Sequence, residues 1–118
     1  MSVLENATAQ YRDLISGELQ FVEVPEWSES PDKPCRIYYK PAINFVAQGK
    51  ILALFKQDKD PEGVVQSFII KALDADGKNI FQQSDMQTLL RDVHPDIVNR
   101  ILSEMASNID DAEMLKKT

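Results

Sequence analysis

Residues 19–24, Leu-Gln-Phe-Val-Glu-Val, and residues 35–40, Cys-Arg-Ile-Tyr-Tyr-Lys, decide the fold. Both stretches are short and rich in the β-branched and aromatic side chains that favour strands. Pro25 ends the first stretch, and a polar loop with two prolines, residues 28–34, separates it from the second. The pattern predicts an antiparallel β-hairpin over about 19–40. Because two strands alone are only marginally stable in water, the hairpin needs helices, or a strand from another molecule, packed against it.

Apolar residues at helical spacing lie on both sides of the hairpin. Residues 3–16 predict an amphipathic helix that ends at Gly17. Residues 42–56 also favour a helix, although Gly49 weakens it by about 1 kcal/mol relative to alanine. The alternative for this segment is a hairpin that turns at residues 48–50.

Three further helices are predicted from their start signals. Asp60–Glu62 offers a carboxylate cap, a proline in the first turn and an acid near the positive helix end. Ser84 and Gln87 form a capping box for the next helix, and Pro95 opens the last one. Residues 107–118 are predicted to be a flexible polar tail.

These elements together predict an α+β protein. Residues 1–106 form a single domain, in which the small N-terminal hairpin packs with a mostly helical remainder over residues 42–106. That remainder and the N-terminal helix give about four to five short helices in all, each burying one apolar stripe.

The composition narrows the classes of function. The chain has 118 residues with 13 basic and 19 acidic side chains, a net charge of −6. An acidic surface repels phosphates and anionic lipids, so neither nucleic acid nor a membrane is an expected partner. The single cysteine, Cys35, has no intramolecular partner for a disulfide, and the N-terminus lacks the pattern of a signal peptide. We therefore expect a protein of the cytoplasm.

The residues that usually carry chemistry are sparse. The only histidine, His94, precedes Pro95 at a predicted helix start, where a structural role is expected. The Asp74–Lys78 stretch is similar to a calcium loop, but positions five and six of that loop are Lys78 and Asn79 instead of an oxygen ligand and glycine. A tight turn is the better interpretation. The sequence predicts a protein that is not an enzyme, with no metal site and no cofactor.

The hairpin also carries the candidate partner-binding residues. In an alternating strand Tyr38 and Tyr39 face opposite sides, so one core face receives at most one of them. The other tyrosine and Trp27 either cover the core or contact a partner, and both alternatives remain open. We take Val24, Trp27, Tyr38 and Tyr39 as the candidates. Apolar stripes over residues 64–73 and 97–105 and the unpaired strand edges offer further modes of contact.

The order of three motifs resembles one protein family. Val-Glu-Val-Pro-Glu-Trp at 22–27 and Arg-Ile-Tyr-Tyr-Lys-Pro at 36–41 look like the opening strands of tail assembly chaperones from long-tailed bacteriophages and prophages. The Asp-Gly-Lys turn and following helix start, within 72–92, and the helix at 94–105 are similar to the closing part of these proteins. The resemblance covers about residues 20–106.

The resemblance implies a role in virion assembly. Such chaperones bind the tape-measure protein, keep this long apolar helical chain soluble in the host cytoplasm and help to recruit tail tube subunits. They are generally absent from the mature virion. We therefore expect the tape-measure protein as partner, with the tail tube protein and self-association as further expectations. The alternative is a structural tail or head–tail component. The chain departs from the family pattern between Pro41 and Asp60.

Overall fold

Alternation along the hairpin divides its side chains between two faces. The computed structural model describes the backbone of residues 2–117 and the side chains of residues 2–107. Strand β1 (Gln20–Val24) pairs antiparallel with β2 (Cys35–Tyr39), and Val22 lies opposite Ile37. The inner face of the two strands is buried and the outer face is exposed or half-buried, which confirms the predicted hairpin.

Within residues 2–117 the hairpin is accompanied by five α-helices, which confirms the predicted α+β fold. Residues 42–56 contain a helix, so the alternative of a second hairpin is wrong. The helix begins after Asn44, whose Oδ1 accepts a hydrogen bond from the backbone N–H of Ala47 at 2.9 Å. The helices are α1 (Val3–Ser16), α2 (Phe45–Lys56), α3 (Asp60–Lys71), α4 (Met86–Asp92) and α5 (Pro95–Lys117).

The hydrophobic core lies between the inner face of the hairpin and the helices α3 and α5. Phe68 of α3 is fully buried there, as are Val24 of the hairpin and Ile101 of α5. The apolar stripes predicted over 64–73 and 97–105 supply most of the helical part of this core and are therefore not surfaces for a partner. Core residues are Val22, Val24, Ile37, Tyr39, Val65, Phe68, Ile69, Ala72, Leu89, Val98, Ile101 and Met105.

Two predicted helix caps are wrong in detail. Asp60 is the first residue of α3 instead of its cap, which is Lys59, although its carboxylate still lies in the first turn. The capping box before α4 uses Gln82 and Asp85, not Ser84 and Gln87. A single 3₁₀ turn over Gln83–Asp85 precedes α4, so the helical conformation begins two residues earlier than the Ser-x-x-Gln pattern indicates, whereas α4 itself begins at Met86.

The last helix is longer than the sequence predicts. Helix α5 continues through the segment predicted to be a tail, residues 107–118, and ends at Lys117. The backbone there is helical, while the flexibility of the tail and the surroundings of its side chains lie outside the described residues. Near the start of α5, Arg100 donates two hydrogen bonds to the carboxylate of Glu26, which ties the end of β1 to this helix.

The stretch from Asp74 to Lys78 forms the tight turn that the sequence predicts. Asp74 Oδ1 accepts hydrogen bonds from the backbone N–H groups of Asp76 and Lys78, both at 2.9 Å. Gly77 has a φ of 83°, a conformation that glycine adopts without strain. This local network accounts for the acidic residues that gave the stretch its likeness to a calcium loop.

Gly63 of α3 lies closely against the ring of Phe55 on α2. A Cβ atom at this position would lie 2.7 Å from Cε2 of Phe55 on α2. We expect Gly63→Leu to lower the free energy of unfolding by about 1–3 kcal/mol, because the added side chain separates the two helices. Urea denaturation checks this value.

Gly49 on α2 provides the matched control for Gly63. A Cβ atom at Gly49 would meet no other atom within 4 Å. Gly49→Leu is therefore expected to raise stability by up to about 1 kcal/mol through helix propensity alone. Equal losses for the two variants would contradict the close helix approach at Gly63.

Candidate protein-binding surface

Two of the four candidate partner-binding residues lie inside the core. Val24 is 0% exposed and Tyr39 is 1% exposed. The hydroxyl of Tyr39 donates a hydrogen bond to Gln20 Oε1 at 2.9 Å, which satisfies its polar end at the edge of the core. Neither side chain offers surface to a partner, so the assignment of Val24 and Tyr39 as contact residues is corrected.

The other two candidates, Trp27 and Tyr38, are half-buried. The Trp27 ring stands edge-on to Phe68, with centroids 6.1 Å apart, and so covers the core. Tyr38 faces away from Tyr39, as alternation predicts, and packs against Phe21 at 5.6 Å. The outer hairpin face thus carries one aromatic pair, over which the Arg36 guanidinium lies 4.5 Å from the Phe21 ring.

The outer edge of β2 is partly occupied by the chain itself. The Leu73 N–H donates to the Tyr38 carbonyl at 2.8 Å, and the Tyr38 N–H donates to the Leu73 carbonyl at 2.9 Å. These bonds use the backbone groups that an added strand would need at that point. The expectation of strand addition along β2 is therefore weaker than the sequence suggests.

An open apolar groove lies between α1 and the start of α2. No side chain of α1 is buried, although the helix carries the predicted apolar stripe. The groove has a volume of about 700 Å³, which falls within the usual range for sites that enclose a ligand. Its lining comes from Leu4, Ala7, Thr8, Tyr11, Arg12, Ile15, Ile43, Asn44, Phe45 and Gln48.

The outer face of α2 extends this groove. Phe45 is 89% exposed, Val46 72% and Leu52 49%. Phe45, Gly49 and Leu52 follow one another at i, i+4 and i+7, the spacing of a seam that packs against a second helix. We call the groove and this seam together the α1–α2 surface. Large apolar side chains at such exposure are typical of protein-binding sites.

The charge around this surface differs from that of the whole chain. From Lys40 to Gln57 the sequence contains three lysines, at positions 40, 50 and 56, and no acidic residue. The one charged residue that lines the groove is Arg12. The α2 part of the α1–α2 surface is thus apolar and carries only basic charges, on a protein whose net charge is −6. Helix α1 also carries Glu5 and Asp13, which do not line the groove.

The predicted helical pattern gives no indication of this surface, because it places the apolar residues of the α2 segment on one helical stripe: Ile43, Val46, Ala47, Ile51, Leu54 and Phe55. Only Ile51 of this helix is buried, and Val46, which belonged to the stripe, is exposed. A usable signal was present: Phe45 and Leu52 lie off the stripe, so the helix is apolar on more than one face. A helix that is apolar on more than one face needs more than one packing partner to bury those faces.

Ionisable side chains near the core behave as structural groups. Burial raises the pKa of the Cys35 thiol, which leaves little thiolate at neutral pH. Burial lowers the pKa of Lys71. The hydrogen bond from Arg100 holds the pKa of the exposed Glu26 carboxylate below its usual value. None of these three groups faces a second ionisable side chain in the arrangement of a general acid and a general base.

His94 makes a local contact of the kind that its predicted structural role requires. Its Nδ1 accepts a hydrogen bond from the backbone N–H of Asp96 at 3.1 Å, at the start of α5. Among the side chains of residues 2–107, no three histidine, cysteine or acidic groups lie close enough to hold a metal ion. The absence of catalysis, metal and cofactor stays a prediction.

Comparisons with known proteins return no relative. No family model matches the chain, and no match is found among curated proteins or solved structures. None of the described helices is long and apolar enough to cross a membrane. The surface chemistry and the motif resemblance are therefore the basis for a functional proposal.

Proposed function

We propose that the protein is a phage tail assembly chaperone, which binds the tape-measure protein in the bacterial cytoplasm, keeps it soluble and helps to recruit tail tube subunits. The observation that carries the proposal is the exposed, apolar α1–α2 surface. The order of the strand, turn and helix motifs supports the family. The proposal assigns no catalytic step to any residue and places the protein outside the mature virion.

The α1–α2 surface has the properties that a holding chaperone needs. Burying one phenylalanine or leucine side chain contributes about 1.5–3 kcal/mol, so Phe45, Leu52 and Leu4 together support a contact of moderate strength. Several copies bound along one long client gain further through avidity. The net charge of −6 keeps the free protein soluble while these side chains are exposed.

Co-expression tests the proposal directly. The protein is expressed with the tape-measure protein encoded beside it, and the soluble fraction of that client is measured after centrifugation. We expect most of the client to be soluble with the chaperone and insoluble without it, because its apolar helices are covered. An unchanged soluble fraction would contradict the proposal.

Analysis of purified virions separates the chaperone from a structural component. Mass spectrometry of the particles is expected to find the tape-measure and tube proteins without this chain. Its presence in stoichiometric amount would instead identify a structural tail or head–tail component.

A further inference from the structure

We propose that the α1–α2 surface selects a partner helix whose apolar stripe is flanked by acidic side chains. This inference rests on the proposed function and deepens it, because it names the chemistry of the client segment. Three features of the described residues carry it: the shape of the groove, the open position at Gly49 and the sign of the surrounding charge.

The shape of the surface fits a helix better than an extended peptide. The groove lies between two helices, and the Phe45–Gly49–Leu52 seam continues along one of them. Side chains at this spacing interlock with those of a helix that crosses at a shallow angle, about 20° in such pairs. An extended peptide would instead need the free backbone groups of a strand edge.

Gly49 lies at the middle of the seam and gives a partner backbone room to approach. It is exposed, and a Cβ there would meet no atom of the protein. Glycine at an exposed helix interior lowers stability by about 1 kcal/mol relative to alanine. A small residue between two large apolar ones produces the hollow into which a partner side chain fits.

The charge at this surface favours acidic flanks on the partner. Arg12 borders the groove on the α1 side, and Lys56 follows the seam at its C-terminal end. Lys50 lies on the α3 side of α2, where it lines a second concave site with Val46 and Gln66. Acidic side chains on both sides of a client stripe would lie near these cations. A lysine-rich helix would be attracted to the acidic protein as a whole but repelled at this surface.

The same charges make two other occupants less favourable. A second copy that packed its α2 against this α2 would bring like charges, Lys50 and Lys56, together. An anionic membrane would be attracted by the lysines but repelled by the net charge of −6, and a concave groove does not match a flat bilayer surface.

A pair of labelled peptides tests the inference on the full-length protein. Both are amphipathic helices of about 20 residues with the same leucine stripe; one carries glutamates at its flanks and the other lysines. Fluorescence anisotropy at low salt measures the two dissociation constants. We expect the glutamate peptide to bind about tenfold more tightly, from three weak ion pairs. Salt at about 1 M should abolish the difference.

A charge-reversal variant adds a sharper readout. This variant combines Arg12→Glu, Lys50→Glu and Lys56→Glu. It should invert the preference, so that the lysine peptide binds more tightly than the glutamate peptide. The control variant carries Lys33→Glu, Lys78→Glu and Arg91→Glu, which are exposed and do not line the groove. This control variant has the same net charge as the first variant. It should still prefer the glutamate peptide, because only charges near the α1–α2 surface affect peptide binding.

Three results would overturn the inference. The first is equal or tighter binding of the lysine peptide by the unaltered protein. The second is sedimentation with anionic phosphatidylserine vesicles at concentrations where the glutamate peptide does not bind, which would point to a membrane. The third is a dimer in analytical ultracentrifugation that Phe45→Glu dissociates, which would make a second copy the occupant.

The peptide experiment and the co-expression experiment test separate claims, so either claim can fail while the other stands. If the glutamate peptide is preferred while the tape-measure protein stays insoluble, the inference stands and the proposed function fails. If the client becomes soluble without any preference between the peptides, the proposed function stands and the inference about charge fails.

Discussion

Phe68→Ala is expected to lower the free energy of unfolding by about 3–5 kcal/mol. The Phe68 side chain is fully buried in α3, between the hairpin and α5. Its ring centroid lies 6.1 Å from that of Trp27 and 5.1 Å from that of Phe81. Truncation to alanine removes both aromatic contacts and leaves a cavity that the surrounding elements can close only by shifting toward it out of their packed positions.

Urea denaturation followed by the fluorescence of Trp27, the only tryptophan, measures this loss. Domains of this kind have a total stability of about 5–15 kcal/mol, so this loss is a large fraction of the total. The control is Phe45→Ala, which removes the same side chain at 89% exposure. It should change stability by at most about 0.5 kcal/mol. Comparable losses for the two variants would contradict the position assigned to the core.

Phe45→Glu combined with Leu52→Glu is expected to abolish the effect on tape-measure solubility. These two side chains are the large apolar residues of the seam on α2. Each replacement removes a contact of about 2 kcal/mol and places a carboxylate against the client stripe. Client affinity should therefore fall on the order of a hundredfold or more. The soluble client fraction after co-expression measures the result.

The fold of the double variant should remain intact, because both positions are exposed. Far-UV circular dichroism and the urea midpoint establish this. A control variant with Ile80→Glu and Thr88→Glu adds the same charge at two exposed positions outside the α1–α2 surface. It should retain full client solubility. Solubility that survives in the double variant would locate the client elsewhere on the protein.

Local sequence patterns were sufficient for the elements of this fold. The hairpin follows from alternation in two short stretches bounded by proline, and Pro95 marks the start of α5. Local signals act over one turn, so they predict where an element exists better than which residue caps it. Asp60 illustrates this limit, since it lies one residue inside the helix it was expected to cap.

The sequence was less informative about the candidate site, because exposure is decided by contacts between distant segments. Alternation places Tyr38 and Tyr39 on opposite faces but does not say which face meets α3 and α5. Both Val24 and Phe45 are large enough to anchor a partner, yet one is buried and the other is almost free in solvent. The deciding fact is that neither α1 nor α3 covers the outer face of α2.

The hydrogen bonds between Leu73 and Tyr38 also bear on how the protein avoids fibril formation. A client that gathers many copies raises their local concentration, and ribbons with open edges then tend to polymerise side by side. Near the C-terminal end of the outer edge of β2, the amide and carbonyl of Tyr38 are already engaged. A cross-β stack therefore lacks an uninterrupted template there, so copies held close together are less prone to seed amyloid from that strand.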